Sequence, residues 1–257
     1  AYWNGGLWAV GNGMISSYLV IYLVIELGMP ALGLLVGMIK AAPQMAGLLR
    51  VAAPALIGRI ADRKRFFIGS YLLSTLVLVG LPFAAAPGLL PSSSAVQLGI
   101  VALWCLYHLL EYLGTVALWS WLADLAPQRI RGRFLGRRER WIVAGQSVAM
   151  LATALFSLNW SWWYPRELYP EKVWLGYAVP AVLGVCFMVM SLVPLVAMPR
   201  LEGRSGLRKP APLRAVLAPV TDSRFLRLVV FGCWFALFSG IVQSAQHVYP
   251  AKVLGIG

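Results

Sequence analysis

The sequence predicts an all-α fold: a polytopic bundle of membrane-spanning helices. Three observations predict it. Apolar runs of spanning length fill the chain, at residues 5–27, 31–57, 66–86, 96–123, 141–160, 173–197 and 225–249. Each is near the roughly 20 residues needed to cross a ~30 Å hydrocarbon core. The apolar fraction is 60% and mean hydropathy is +0.75, values of a polytopic membrane chain with no polar stretch long enough for a soluble domain. The breaks between the runs alternate between arginine-rich and arginine-poor.

Taken in order, the first span carries Gly5, Gly6, Gly11 and Gly13, a cluster that reads as close helix packing, with Glu26 at its far end. The short break 28–30 leads into span 2, which holds Gly33-x-x-x-Gly37, Lys40 and Arg50. The next break carries Arg59, Arg63, Lys64 and Arg65. Span 3 and the arginine-free break 87–95 precede span 4, which contains His108 and Glu111. The break 127–141 carries Arg129, Arg131, Arg133, Arg137, Arg138 and Arg140. Span 5 ends at the break 161–172, whose Arg166 and Lys172 lie beside glutamates. After span 6 come Arg200, Arg204, Arg208, Lys209, Arg214, Arg224 and Arg227, then span 7 with His247 near its end.

Positive loops stay in the cytoplasm. The pattern therefore joins spans 2–3, 4–5 and 6–7 inside and sends the first span outward. A formal charge of +13 and a pI near 10.2 would suggest nucleic acid in a soluble protein. Here 17 of the 22 basic residues lie in three inter-span segments. Topology and contact with anionic headgroups account for them, so the expected partner is the lipid bilayer and not nucleic acid.

The expected domains are a six-helix transmembrane bundle over 1–197, a cytoplasmic central loop over 198–223, and span 7 over 224–257 as the start of a truncated second bundle. A weak internal repeat at an offset of 227 supports that division. Gly13, Ser17, Tyr22 and Leu27-Gly28 match Gly240, Ser244, Tyr249 and Leu254-Gly255, at the same place in spans that run the same way. Parallel six-span repeats are one transporter architecture. With a first residue other than Met and an end just after span 7, the reading expects a fragment with five further spans.

Two loops carry a resemblance. Gly58-Arg-Ile-Ala-Asp62-Arg63-Lys64-Arg65 follows span 2, and Pro127-Gln-Arg-Ile-Arg131-Gly132-Arg-Phe-Leu-Gly136 follows span 4. The first resembles the Gly-x-x-x-Asp-Arg-x-Gly-Arg-Arg signature of the major facilitator superfamily at Gly58, Asp62 and Arg63, with Arg65 standing where the second glycine falls. The second is similar to that superfamily's Pro-x-x-x-Arg-Gly-x-x-x-Gly pattern at Pro127, Arg131, Gly132 and Gly136. The resemblance implies a gate at the inner mouth, in which Asp62, Arg63, Asp124 and Arg131 pair across helices in one conformation and separate in the other. It also implies that spans 1, 4 and 7 line a central cavity flanked by span 2. The remaining loop arginines read as headgroup anchors.

Ionisable residues in mid-span point to mechanism, because a charge at the bilayer centre costs roughly 2.5–3.5 kcal/mol on insertion scales. Trp104, His108, Glu111 and Thr115 follow helical spacing and share one face of span 4. That face offers an aromatic wall, titratable groups and a hydroxyl. With Lys40 of span 2 it is the candidate substrate and proton site. An ion pair of Glu111 with Lys40 that merely fixes packing, and a simply packed His108, are the structural readings of the same residues. A single His-x-x-Glu does not make a di-metal bundle, which needs two such motifs and further carboxylates. No metal or cofactor is expected. Cys105, Cys186 and Cys233 fall inside spans and read as small packing residues. Trp119 and Trp121 at one end, and Trp160, Trp162 and Trp163 at the other, read as interfacial belts.

No Walker A loop, Gly-x-Ser-x-Gly or His-Glu-x-x-His occurs, so ATP-driven pumping and common hydrolase chemistry have no support. Span 5 also lacks the Gly-Pro-Gly-Gly run that many drug antiporters of the resembled superfamily carry, which disfavours drug export. The expected function is not enzymatic. It is secondary active transport of a small solute by alternating access, coupled to protons, by a protein that is monomeric when full length. Its expected place is the bacterial inner (plasma) membrane with the basic loops cytoplasmic. Two other classes remain: a membrane-embedded enzyme using His108 and Glu111 as an acid–base pair, and a non-transporting receptor or scaffold.

Overall fold

The computed structural model describes residues 2–15, 32–48, 60, 62–84, 86, 93–125, 128–165, 167–169, 172, 174–198 and 223–253. Among them the elements are all helical: α1 (Tyr2–Met14), α2 (Leu32–Leu48), α3 (Arg63–Ala84), α4 (Ser93–Leu125), α5 (Gln128–Trp163), α6 (Leu175–Met190), α7 (Val193–Val196) and α8 (Ser223–Val253). Four segments are long and apolar enough to cross a membrane: Arg63–Ala84, Ser94–Leu122, Arg129–Trp160 and Leu175–Val196. A multi-pass, all-helical membrane protein is the architecture they support. Only the first parts of expected spans 1 and 2 are described. Glu26, Arg50, Arg59, the central loop 199–222 and most of the repeat positions lie outside the described residues.

Hydrogen-bonding necessity explains why these segments are helices. In lipid every backbone polar group must bond internally, which a helix achieves within one segment. Asp62 starts α3: its Oδ1 accepts the Arg65 backbone N–H at 3.0 Å, satisfying one of the four unpaired donors of the first turn. Proline ends the regular part of the sixth span. Pro194 has no N–H to bond residue 190, and its ring clashes with that carbonyl. The chain turns at Ser191-Leu192 and resumes as α7. The Leu195 N–H then bonds Leu192 O at 3.0 Å, which frees the Ser191 carbonyl. Asn4 of α1 donates to that carbonyl at 2.9 Å.

Contacts fix the relative directions of the helices. Gly5 faces Arg138 and Ile142 while Gly13 faces Gln146 and Ala149, so α1 and α5 run parallel. Asn4 meets Ser191 while Gly11 meets Gly184 and Met188, so α1 and α6 run antiparallel. Arg63 meets Ser120, Tyr71 meets Thr115 and Gly80 faces Leu103, so α3 and α4 form an antiparallel hairpin. One end of the bundle thus gathers the starts of α1, α3 and α5 with the ends of α4 and α7. The arginines of 63–65 and 129–140 are collected there.

The core has two parts. One, toward the arginine-poor end, joins Val36 and Ile39 of α2, Leu78 of α3, Ile100 and Tyr107 of α4, and Met188 of α6. The other, toward the arginine-rich end, joins Phe67, Leu118, Trp121, Leu122 and Leu195. The outer faces are apolar as well: Leu72, Leu76, Leu98, Val143, Leu151 and Leu158 are exposed, as lipid-facing side chains are. Along α8 the described side chains from Phe225 to Phe238 are exposed, and the helix packs against α2.

Several local expectations are corrected. The segment after expected span 4 is not a loop: α5 begins at Gln128 and runs unbroken for 36 residues. At 1.5 Å per residue it is about 54 Å long, so its arginine-bearing start extends beyond a ~30 Å core. Arginine is a good helix former, and Gly132 and Gly136 are tolerated within the helix. Trp121 is no belt residue. It is 3% exposed and packs on Phe67 with ring centroids 5.2 Å apart. Trp162 and Trp163, by contrast, are exposed near the other end. The three cysteines lie on exposed faces instead of packing seams. Gly37 meets nothing within 4 Å, whereas Gly5, Gly11 and Gly13 sit in close interhelix contacts.

Candidate functional site

The face of α4 predicted from helical spacing carries a line of polar groups through the bundle. At its arginine-poor end the Trp104 indole N–H donates to Ile39 O of α2 at 2.9 Å. The His108 ring packs edge-on against Trp104 at 4.6 Å and against Tyr107 at 4.7 Å. Tyr107 is 1% exposed, and its hydroxyl accepts from Asn12 Nδ2 of α1 at 3.0 Å. His108 Nε2 is buried and makes no hydrogen bond.

One turn further along, Thr115 Oγ1 donates to Glu111 Oε1 at 2.9 Å, and the Tyr71 hydroxyl of α3 lies 2.8 Å from Thr115 Oγ1. Thr115 has a single proton, which it gives to the carboxylate, so Tyr71 is the donor to Thr115. The result is a directed chain, Tyr71 O–H to Thr115 O–H to Glu111 carboxylate. Tyr71 is 6% exposed, and Gly114 makes the close approach possible. A Cβ there would lie 3.3 Å from both Ser70 and the Tyr71 ring.

Lys40 directly follows Ile39, so its backbone lies at the level of Trp104, two turns or about 10 Å along α4 from Glu111. Its side chain is half-buried. Of the proposed gate residues, Asp62 accepts from the Arg65 N–H and pairs with Arg65 Nε at 3.1 Å, within its own helix. The ties between helices at this end come from its neighbours. Arg63 Nη1 donates to Ser120 Oγ of α4 at 3.0 Å. Lys64 Nζ donates to the carbonyls of Val196 at 2.8 Å and Met198 at 2.5 Å, capping the end of α7. Arg131 is half-buried on the first turn of α5. Asp124 is in the last turn of α4, and its side chain lies outside the described residues, as does that of His247.

Tyr71, Asn12 and Lys64 join the site without a signal in the sequence beyond polarity inside or beside a span. Arg138, counted with the loop arginines, is the other. It is 6% exposed, inside the bundle between α1 and α4. Its stem fills the space opposite Gly5, where a Cβ would lie 3.1 Å from Arg138 Cγ. Its guanidinium stands 5.2 Å from the Trp119 ring centroid, and Nη1 is 3.7 Å from the half-exposed Glu139 carboxylate. Nε is buried without a hydrogen bond. A desolvated cation–π contact contributes about 2 kcal/mol, against a desolvation cost of several kcal/mol per ion. The Trp119 contact alone does not offset that cost.

Among the described residues no three of His, Cys, Asp and Glu converge on a point that would hold a metal ion. Scans against known protein families, curated proteins and solved structures find no match.

Proposed function

We propose that this chain is the first half of a secondary active transporter of the major facilitator type, with span 7 beginning the second half. It moves a small solute by alternating access and couples that movement to protons through Glu111. The observation that carries the reading is the Tyr71–Thr115–Glu111 chain in the interior of a multi-pass bundle. A carboxylate there is costly to insert and is expected to serve an ion or substrate path. The hydroxyl chain ends on the carboxylate and donates to its charged form, which holds Glu111 in place for proton exchange. In this reading Trp104, His108 and Lys40 line the solute side. Asp62, Arg63, Asp124 and Arg131 belong to the gate, and the arginine-rich end faces the cytoplasm of a bacterial cell. His108 contacts the rings of Trp104 and Tyr107, and no hydrogen bond joins it to Glu111, which weakens the acid–base enzyme reading.

Glu111→Gln keeps the shape and removes the charge. In proteoliposomes it is expected to abolish proton-driven accumulation while preserving solute counterflow. If uphill accumulation is intact in Glu111→Gln, Glu111 is not the coupling acid.

A further inference from the structure

Arg138 is the most deeply buried arginine of its segment, and Arg131 is half-buried. Arg129, Arg133, Arg137 and Arg140 are exposed along α5, where headgroup anchoring accounts for them. Arg138 points the other way, into the bundle. The packing is built around it: α1 has a glycine where its stem passes, and α4 offers the Trp119 face to its guanidinium. Yet among the described residues it makes no hydrogen bond, and its one ion-pair contact, 3.7 Å to Glu139, is beyond hydrogen-bond length. A guanidinium has five donors in a fork that matches a carboxylate or phosphate edge. Buried charges are ordinarily paired, so a side chain more than nine-tenths buried, whose guanidinium makes no hydrogen bond, marks a place where an acceptor is expected.

We propose that Arg138 is the anchor of an oxyanion-binding site between α1, α4 and α5, taking one carboxylate or phosphate-type group through its planar fork. The exposed arginines on the same helix lie outside the site and attract anions toward it. Trp119 covers one face of the guanidinium, which leaves the edge for the ligand. The group comes either from a free solute or from an anionic lipid headgroup, since both share this chemistry. As a substrate site it rests on the transporter reading; as a binding site it stands without that reading, and the test therefore measures binding.

The protein is reconstituted in nanodiscs of zwitterionic lipid, and its thermal unfolding is followed with acetate, benzoate and inorganic phosphate. The neutral amides acetamide and benzamide serve as controls. The wild type is expected to gain several degrees in Tm with at least one of the anions and none with the amides. Arg138→Lys retains a smaller gain, because an ammonium cannot make the bidentate contact. Arg138→Met loses the gain and, without anion, unfolds at a higher temperature than wild type, since it removes an uncompensated buried charge. If adding phosphatidylglycerol to the discs produces the gain and the free anions do not, the ligand is a headgroup. Two results overturn the proposal. One is a wild type that responds to neither free anions nor phosphatidylglycerol. The other is Arg138→Met unfolding below wild type without anion, which would make the arginine a structural element of the apo bundle. Neither result depends on transport, so loss of coupling in Glu111→Gln is a separate matter.

Discussion

Replacing Gly11 by alanine puts a methyl group where α1 and α6 cross most closely. A Cβ at Gly11 would lie 2.4 Å from Gly184 O, 2.5 Å from Met188 Cγ and 3.0 Å from Met188 N. The methionine side chain can move aside, but the two backbone atoms cannot. Restoring ordinary van der Waals distance to the carbonyl requires the helices to part by about 1 Å, enough to forfeit a quarter to a half of each facing contact. Overpacking of this kind costs about 1–3 kcal/mol. Alanine returns about 0.5–1 kcal/mol over glycine within a helix. The expected net effect of Gly11→Ala is therefore a loss of about 1–2 kcal/mol. Gly6→Ala is the internal control. Nothing lies within 4 Å of a Cβ at Gly6, so only the helix term operates and the variant gains about 0.5–1 kcal/mol. Both are read by thermal unfolding in detergent, followed by tryptophan fluorescence. The reasoning is refuted if Gly11→Ala is as stable as wild type, or if the two variants shift in the same direction.

Two further predictions concern the arginine-rich end. Asp62→Ala removes the cap of α3 and is expected to cost about 1 kcal/mol, while Asp62→Asn keeps the cap and stays near wild type in stability. If Asp62 also gates, Asp62→Asn lowers transport rate at matched protein level without changing the ligand-induced thermal shift; a wild-type rate would remove it from the gate. For topology, cysteines replacing Ser93 and Arg166 are expected to react with an impermeant thiol reagent on intact cells, and cysteines replacing Arg133 and Arg208 are not. Labelling at Arg208→Cys with none at Ser93→Cys would invert the map.

Which features were legible in the sequence follows from which depend on local spacing alone. Four of the seven expected spans, the third to the sixth, could be read because apolar length is a property of consecutive residues. The pairing of Thr115 with Glu111, and of Trp104 with His108, was foreseeable because residues four apart on a helix are neighbours. Tyr71 could not be foreseen. Its place beside Thr115 depends on how α3 is rotated against α4, which no single-helix pattern encodes. Arg138 was missed for the same reason and for a second one. Hydropathy scores arginines as a break between spans, whereas the backbone through 128–140 satisfies itself as helix and turns one arginine inward. The interruption at Ser191 had a visible cause in Pro194, but its use by Asn4 of α1 required the tertiary arrangement. Asp62 caps α3 and pairs with Arg65 three positions on, a local arrangement that its residue type and spacing make readable in the sequence.

Access to the α4 face from both sides of the membrane tests the transporter account most directly, and it needs no knowledge of the solute. Cys105, Cys186 and Cys233 are first replaced by serine, and Thr115→Cys is introduced beside Glu111. Right-side-out and inside-out vesicles are then exposed to an impermeant thiol reagent. Alternating access predicts that the cysteine at 115 is modified from either side. Glu111→Gln is expected to change the balance between the two rates. Modification from one side only, or from neither, in a folded protein would contradict the account.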